Sequence, residues 1–467
     1  MNAKLMKKMK MKAKIEDSFY QTRPECDDVP NTRFRPKAGK TLSERRWRSA
    51  FSEEGYLDIA KVLNRVERGG VHPSIRGEVW EFLLGCFDPK SSFAERNSLR
   101  KWRREQYAKL KADCQAIDSS VGSGVVITAP RINQDGSPVQ NSEGLNAGNN
   151  NHVPYTWTDS HFSLKEDNPY QSEMQSVGQA GRKHSLGSNQ NDSWSGMHMD
   201  KDTIQWILLL HQIGLDVVRT DRTLKFYENS ENLAKLWDIL AVYAWMDKDI
   251  GYCQGMSDLC SPMVVLHANE ADAFWCFEHL MRRIRGNFKC TENSVGVQTQ
   301  LQNLASITQV LEPKLHKHLE TLGGGSYIFA FRMLMVLFRR EFSFGDALFL
   351  WEMMWALEYD PEIIASYQET SSSYPNKSGR VKRTEKSKEQ RGKYERQRIE
   401  NGFQGSLDTP IAVFLVASVL KAKSSKLLRE AQGIDDVVKI LNDLTGNMDA
   451  KKACTGALTL HKKYLRK

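Results

Sequence analysis

Several features are scarce or absent in this chain of 467 residues, and each absence narrows what it can be. No apolar stretch approaches the roughly 20 residues that a membrane-spanning helix needs. The most continuous run is PIAVFLVASVL, Pro410 to Leu420. The basic start MNAKLMKKMKMKAK has no continuous apolar segment and lacks the Arg/Ser bias of a transit peptide, so it reads as neither signal nor transit sequence. The eight cysteines form no C-x-x-C pair and none has histidine at finger spacing, a pattern that argues against a structural zinc site. Most lie in apolar helical patterns, so reduced, buried thiols in a reducing compartment are expected. The triplets NDS and NKS are then chance matches to glycosylation acceptors. The expected location is cytoplasmic, with at most peripheral contact at endomembranes.

Motifs for self-contained catalysis are missing too. There is no G-x-x-x-x-G-K-[ST], so the chain is not expected to bind nucleotide by itself. The glycine-rich LGGGSY, Leu322 to Tyr327, lacks the lysine and the preceding strand of a phosphate cradle and reads as a turn. H-E-x-x-H and G-x-S-x-G do not occur. DSHF groups Asp, Ser and His within a stretch too polar to hold a triad in place.

What is present is helical patterning. Apolar content is 40% and charged content 26%, ordinary for a globular chain, and the length is enough for at least one large core. NLAKLWDILAVYAW puts Leu233, Leu236, Trp237, Leu240, Tyr243 and Ala244 on one face. GMSDLCSPMVVLH does the same with Met256, Leu259, Cys260, Met263 and Val264, and Pro262 is expected to kink or start that helix. Strand-like alternation is nearly absent. The expectation is an all-α fold, one domain broken by two insertions. Residues 1–40 read as a basic, disordered tail, 41–115 as the first helical part, and 116–198 as a disordered insertion rich in Ser, Gly, Asn and Gln. Residues 199–365 read as the helical centre, 366–405 as a basic disordered insertion, and 406–467 as the closing helices. Loop closure grows costly only slowly with length, so one domain tolerates such insertions if their ends leave it close together.

The net charge of +9 is concentrated in the tail and the second insertion. No nucleic-acid signature accompanies it, so nucleic acid is not an expected partner. The basic insertion has two readings, a patch for anionic membrane or nuclear import, or a solvated loop, which composition favours.

Three short motifs remain. RGEVW places Arg76 and Trp80 four apart on a helix, and its plain structural reading is a guanidinium packed on an indole. HQIGLDVVRTDR follows the apolar IQWILLL and sets Ile213, Asp216 and Arg219 three apart, with Asp202 and Gln205 upstream fitting a helix cap. Its plain reading is a surface ion pair worth at most about 1 kcal/mol. GYCQG, between two helices, allows tight backbone geometry around Gln254 and could present the amide outward, or simply turn the chain.

In order, R-x-x-x-W, I-x-x-D-x-x-R-T and Y-x-Q-G resemble the TBC domain of Rab GTPase-activating proteins. The resemblance runs from about Arg76 to the C-terminal helices and skips both insertions. It implies that Arg219 is an arginine finger and that Gln254 is a second finger replacing the GTPase's own glutamine. Asp216, with Thr220 beside it, would hold the Arg219 region. Tyr252 and Gly255 would fix the Gln254 loop, Arg76 would support the site or the partner contact, and Trp80 would pack in the core. The implied partner is a Rab-family GTPase in its GTP-bound state. It would bring both GTP and Mg²⁺, so no cofactor of this chain's own is implied. A non-catalytic, Rab-binding helical adaptor is the competing reading. The gap between the first two motifs is longer than the family's usual one because of residues 116–198.

Overall fold

In the computed structural model, residues 20–26, 29–133, 137, 200–291, 294–364, 390–400, 409–443 and 448–466 are described. Their helices are α1 (Glu44–Arg48), α2 (Ile59–Gly69), α3 (Arg76–Leu83), α4 (Phe93–Ile117), α5 (Lys201–Val217), α6 (Ser230–Met246), α7 (Met256–Leu266) and α8 (Glu270–Phe288). There follow α9 (Val297–Leu311), α10 (Pro313–Thr321), α11 (Phe331–Met335), α12 (Phe344–Leu357), α13 (Lys393–Glu400), α14 (Ile411–Glu430), α15 (Ile434–Asn442) and α16 (Ala450–Tyr464). Among the described residues the only paired strands are Cys290–Thr291 and Ser294–Val295, antiparallel. The fold is all-α, as the patterning requires. None of these helices is long and apolar enough to cross a membrane. The chain divides into a large unit, residues 1–129 with 206–467, and a small one, 130–205.

The large unit is built around helices with no polar face. In α12 every residue from Gly345 to Leu357 is buried, and in α6 every residue from Leu236 to Ala244. A helix apolar on all sides belongs at the centre of a domain rather than on its surface. Helices α4, α6, α7 and α8 pack on one another, as do α9, α14 and α16, while α12 lies against α2 and α16. Helix α7 begins at Met256 and carries Pro262 in its interior, so the proline does not start it. In the small unit, the first turn of α5 is capped by Asp200, whose Oδ1 accepts from Thr203 N at 2.8 Å, rather than by the expected Asp202.

The packed body extends beyond the expected boundaries in three places. Residues 20–26 and 29–40 were expected in a tail, yet Phe34 stacks on Phe349 at 4.7 Å, and the backbone N–H groups of Arg33 and Phe34 donate to Asp346 at 2.8 and 2.6 Å. Residues 118–129 form a strap at the root of the first insertion. There Val121 is buried, Gly122 N donates to Asp238 at 2.9 Å, and the Ile127 carbonyl lies where a side chain on Gly214 would project, 1.8 Å from an added Cβ. Residues 390–400 include α13, whose Tyr394 is buried and donates to the Thr409 carbonyl at 2.6 Å. Composition failed here because a few aromatic anchors and backbone donors were enough to dock segments that are polar on average. Apart from residues 116–117 at the end of α4 and residues 130–133 and 137, the remainder of the tail and of both insertions lies outside the described residues.

Among the described residues, one ion pair in the core has both side chains fully buried. Arg76 Nε donates to Glu352 Oε1 at 2.6 Å, and neither side chain is exposed at all. The same carboxylate accepts from Trp80 Nε1 at 3.3 Å and from Val71 N at 2.9 Å. Arg76 also donates to Tyr20 Oη at 3.0 Å and lies 5.0 Å from the Phe34 ring centre. Burial opposes the Arg76 charge, but Glu352 and Tyr20 outweigh it and hold its pKa above the ordinary value. A buried charge stripped of its partner is costly. Glu352→Gln is therefore expected to lower unfolding free energy by about 3–5 kcal/mol in urea titrations, and Arg76→Met with Glu352→Leu to lose clearly less than Glu352→Gln alone.

Candidate functional site

Helix α5 turns Leu210, Ile213 and Val217 into the core and leaves Leu215 exposed, and Val218, just past its end, is exposed as well. It ends in a turn in which Thr220 N donates to the Asp216 carbonyl at 3.0 Å, and this places Arg219 on the surface with 48% of its side chain exposed. Arg219 Nη2 donates to Asp216 Oδ1. Asp216 itself is buried.

The second loop runs from Gly251 to Gly255, both in the left-handed region at φ 62° and 99°. At Gly255 an added Cβ would also come within 2.8 Å of Val336 Cγ1, so glycine is required there on two counts. Between the glycines the backbone turns Tyr252 inward, 6% exposed, and leaves Gln254 exposed.

Two contacts bind the loops together. Tyr252 Oη donates to Asp216 Oδ2 at 2.6 Å, so one carboxylate holds Arg219 on one oxygen and the Gln254 loop on the other. Thr220 Oγ1 lies 2.8 Å from the Asp216 carbonyl oxygen and 2.8 Å from Ser257 Oγ, in the first turn of α7. Burial and the adjacent Asp216 push the Tyr252 hydroxyl well above its ordinary pKa, so it remains a donor throughout the physiological range.

Six of the eight expected residues, Asp216, Arg219, Thr220, Tyr252, Gln254 and Gly255, thus belong to one pair of joined loops. Arg76 and Trp80 do not. They sit in the core around Glu352, where no partner can touch Arg76, and the two side chains share a carboxylate rather than stacking guanidinium on indole. Sequence reasoning missed Ser257 and Ser261, four apart on α7, together with Asp221 and Arg339, which lie behind the loops. Among these only the i, i+4 serine spacing was visible in the sequence. Among the described residues no group of three or more His, Cys, Asp or Glu side chains is placed to hold a metal ion. A shallow groove on α4, lined by Asn97, Arg100, Arg104 and Glu105, carries none of the expected residues.

The Rab-GTPase-TBC domain family matches residues 170–367. Rab GTPase-activating protein 22 of Arabidopsis thaliana is 32% identical over 376 residues, covering 69% of this chain and 67% of that protein. TBC1 domain family member 17 of Homo sapiens is 30% identical over 347 residues, covering 71% of this chain and 41% of that protein. GTPase-activating protein GYP7 of Saccharomyces cerevisiae is 24% identical over 434 residues, 91% of this chain and 45% of that one. The chain therefore spans two thirds of the plant relative but less than half of the human and yeast ones. The crystal structure of the Ypt/Rab-GAP domain of Gyp1p shares the fold at a TM-score of 0.52 and 16% identity, over 90% of this chain and 98% of that one.

The Tyr252–Asp216 hydrogen bond has a testable pH signature. Its folded-state pKa is raised, so its stabilisation is complete below the unfolded tyrosine value of about 10 and is lost as pH rises beyond it. Tyr252→Phe is expected to cost about 1–3 kcal/mol at neutral pH. Above about pH 10 its unfolding midpoint in urea should fall less steeply than that of the unaltered protein.

Proposed function

The chain belongs to the Rab-GTPase-TBC domain family, and from that premise we propose that it accelerates GTP hydrolysis on a GTP-loaded Rab-family GTPase by lending it Arg219 and Gln254. The observation that supports this most is the shared carboxylate of Asp216. It ties to one another the two loops that expose a cation and a carboxamide.

The chemistry follows from what the partner lacks. When water attacks the γ-phosphorus and the bond to the β–γ bridging oxygen breaks, negative charge shifts toward the leaving diphosphate and the equatorial oxygens. Arg219, with its planar fork of donors, neutralises part of that charge from outside. An arginine supplied in trans is worth roughly 10³–10⁵ in rate, or about 4–7 kcal/mol. The Gln254 carboxamide oxygen accepts from the attacking water while its NH₂ donates to a γ-phosphate oxygen, fixing the water in line. Asp216 orients Arg219, and Tyr252 and Thr220 hold the two loops in register. Nucleotide and Mg²⁺ come with the GTPase, and the regulated process is membrane traffic controlled by Rab state.

The test is single-turnover GTP hydrolysis with a panel of Rab GTPases. Arg219→Ala is expected to slow the stimulated rate by about 10³-fold or more. Arg219→Lys should lose most of the stimulation, because a point charge lacks the fork. Gln254→Ala should lose about 10²–10³-fold. Both positions are exposed, so the variants should fold; Gln254→Ala should melt with the unaltered protein, and Arg219→Ala should lose no more than the roughly 1 kcal/mol of its pair with Asp216. Near-full stimulation by Arg219→Lys would overturn the assignment, and tight binding of GTP-loaded Rab without acceleration would point to the adaptor.

A further inference from the structure

We propose that Asp221 is a positioning residue for Arg219, anchoring the finger loop from behind through its carboxylate. The inference rests on the reading of Arg219 as the trans-acting arginine. Asp221 has φ 48°, one of four non-glycine residues at positive φ among those described. Asp and Asn tolerate that conformation better than most residues, but the backbone alone does not call for a charge. The surroundings do. Ser261 Oγ donates to Asp221 Oδ2 at 2.6 Å, and Arg339 Nη2 donates to Oδ1. Tyr227 Oη donates in turn to Ser261 Oγ at 2.9 Å, within the core.

Arg339 is 7% exposed at its side chain, and Asp221 is its ion-pair partner among the described residues. The neighbouring Asp258 is taken by Arg340, at 2.8 Å. The Arg339 guanidinium lies 4.7 Å from the Phe344 ring centre at the start of α12. Asp221 therefore pins the loop to α7, through Ser261, and to the segment before α12, through Arg339. On its far side the loop is held by backbone bonds to the N-terminal segment, Arg23 N to the Thr223 carbonyl and Lys225 N to the Gln21 carbonyl, each at 2.8 Å. Leu224 N closes the turn onto the Asp221 carbonyl at 2.9 Å. Asp221 is two residues from Arg219, so a shift of its anchor transmits directly to the finger. Misplacement by about 1 Å costs on the order of 10²-fold in rate.

The test compares Asp221→Asn, which keeps the backbone preference but removes the charge, with Asp221→Gly, which keeps only the backbone freedom. Ser261→Ala removes one donor and leaves the ion pair, giving a milder variant that folds if the others do not. Two readouts are taken on each: single-turnover hydrolysis with a responsive Rab, and hydrogen exchange of the 219–225 backbone without any Rab. Asp221→Gly is expected to lose at least about tenfold in maximal rate, with the half-saturating concentration within about threefold and faster exchange across 219–225. Asp221→Asn should fall between it and the unaltered protein, and Ser261→Ala should lose about two- to fivefold. Rates within twofold for both Asp221→Gly and Ser261→Ala, with unchanged exchange, would overturn the proposal, as would a loss confined to half-saturation. Arg219→Ala on the same Rab separates the two readings. If it keeps the full rate, the finger assignment fails, while the exchange data still judge whether Asp221 anchors the loop.

Discussion

Everything at the candidate site depends on one buried carboxylate with two oxygens. Asp216 gives one oxygen to an exposed guanidinium and the other to a buried phenol. A monodentate acceptor would leave either the Arg219 loop or the Gln254 loop to find its own position. Sharing the acceptor turns two loops, distant by 36 residues, into one rigid edge. Because Asp216 sits on the last turn of α5, that edge takes its position from the core itself.

The tether to Asp216 raises the question of whether Arg219 is free to act. Half of the arginine side chain is in solvent, which screens the pair and keeps its contribution near the surface-pair scale, about 1 kcal/mol. The transition-state interaction assigned to such an arginine is several times larger. In the proposed role the stronger interaction would win, so the tether would restrict the guanidinium's search without withholding it. The tyrosine on the other oxygen is buried and stays protonated, so the Gln254 loop is held by a contact that solvent does not weaken.

Much of this was legible in the sequence, and the failures share a cause. The buried face of α6 could be read from spacing, since Leu236, Trp237, Leu240, Tyr243 and Ala244 are all core residues. The loop residues came from motifs whose members lie within a few positions of each other, and there they were found together. That Arg76 is buried and makes no contact with a partner protein was not legible, because its ion-pair partner, Glu352, lies 276 residues away and no local pattern links them. Asp221 and Arg339, 118 residues apart, escaped for the same reason. The N-terminal segment was read as a tail from average polarity, which is blind to single anchors such as Tyr20 and Phe34.

The proposed function, lending catalytic groups to a partner, sets a different constraint from enclosing a substrate. It needs no deep pocket, and its reactive residues must remain exposed, where side chains lose order most easily. Rigidity then has to come from beneath. Here the surface loops are fastened to α7 by Ser257 and Ser261, to the region before α12 by Arg339, and to the N-terminal segment by backbone bonds. The same logic sorts the arginines. Arg76 is buried against Glu352 in the core and Arg339 is buried against Asp221 behind the loop, whereas Arg219 joins a half-exposed guanidinium to the carboxylate that also holds the Gln254 loop. Under the proposed function, exposure of the lent group and burial of its support are thus two sides of one requirement, and a buried carboxylate at the end of a core helix meets both.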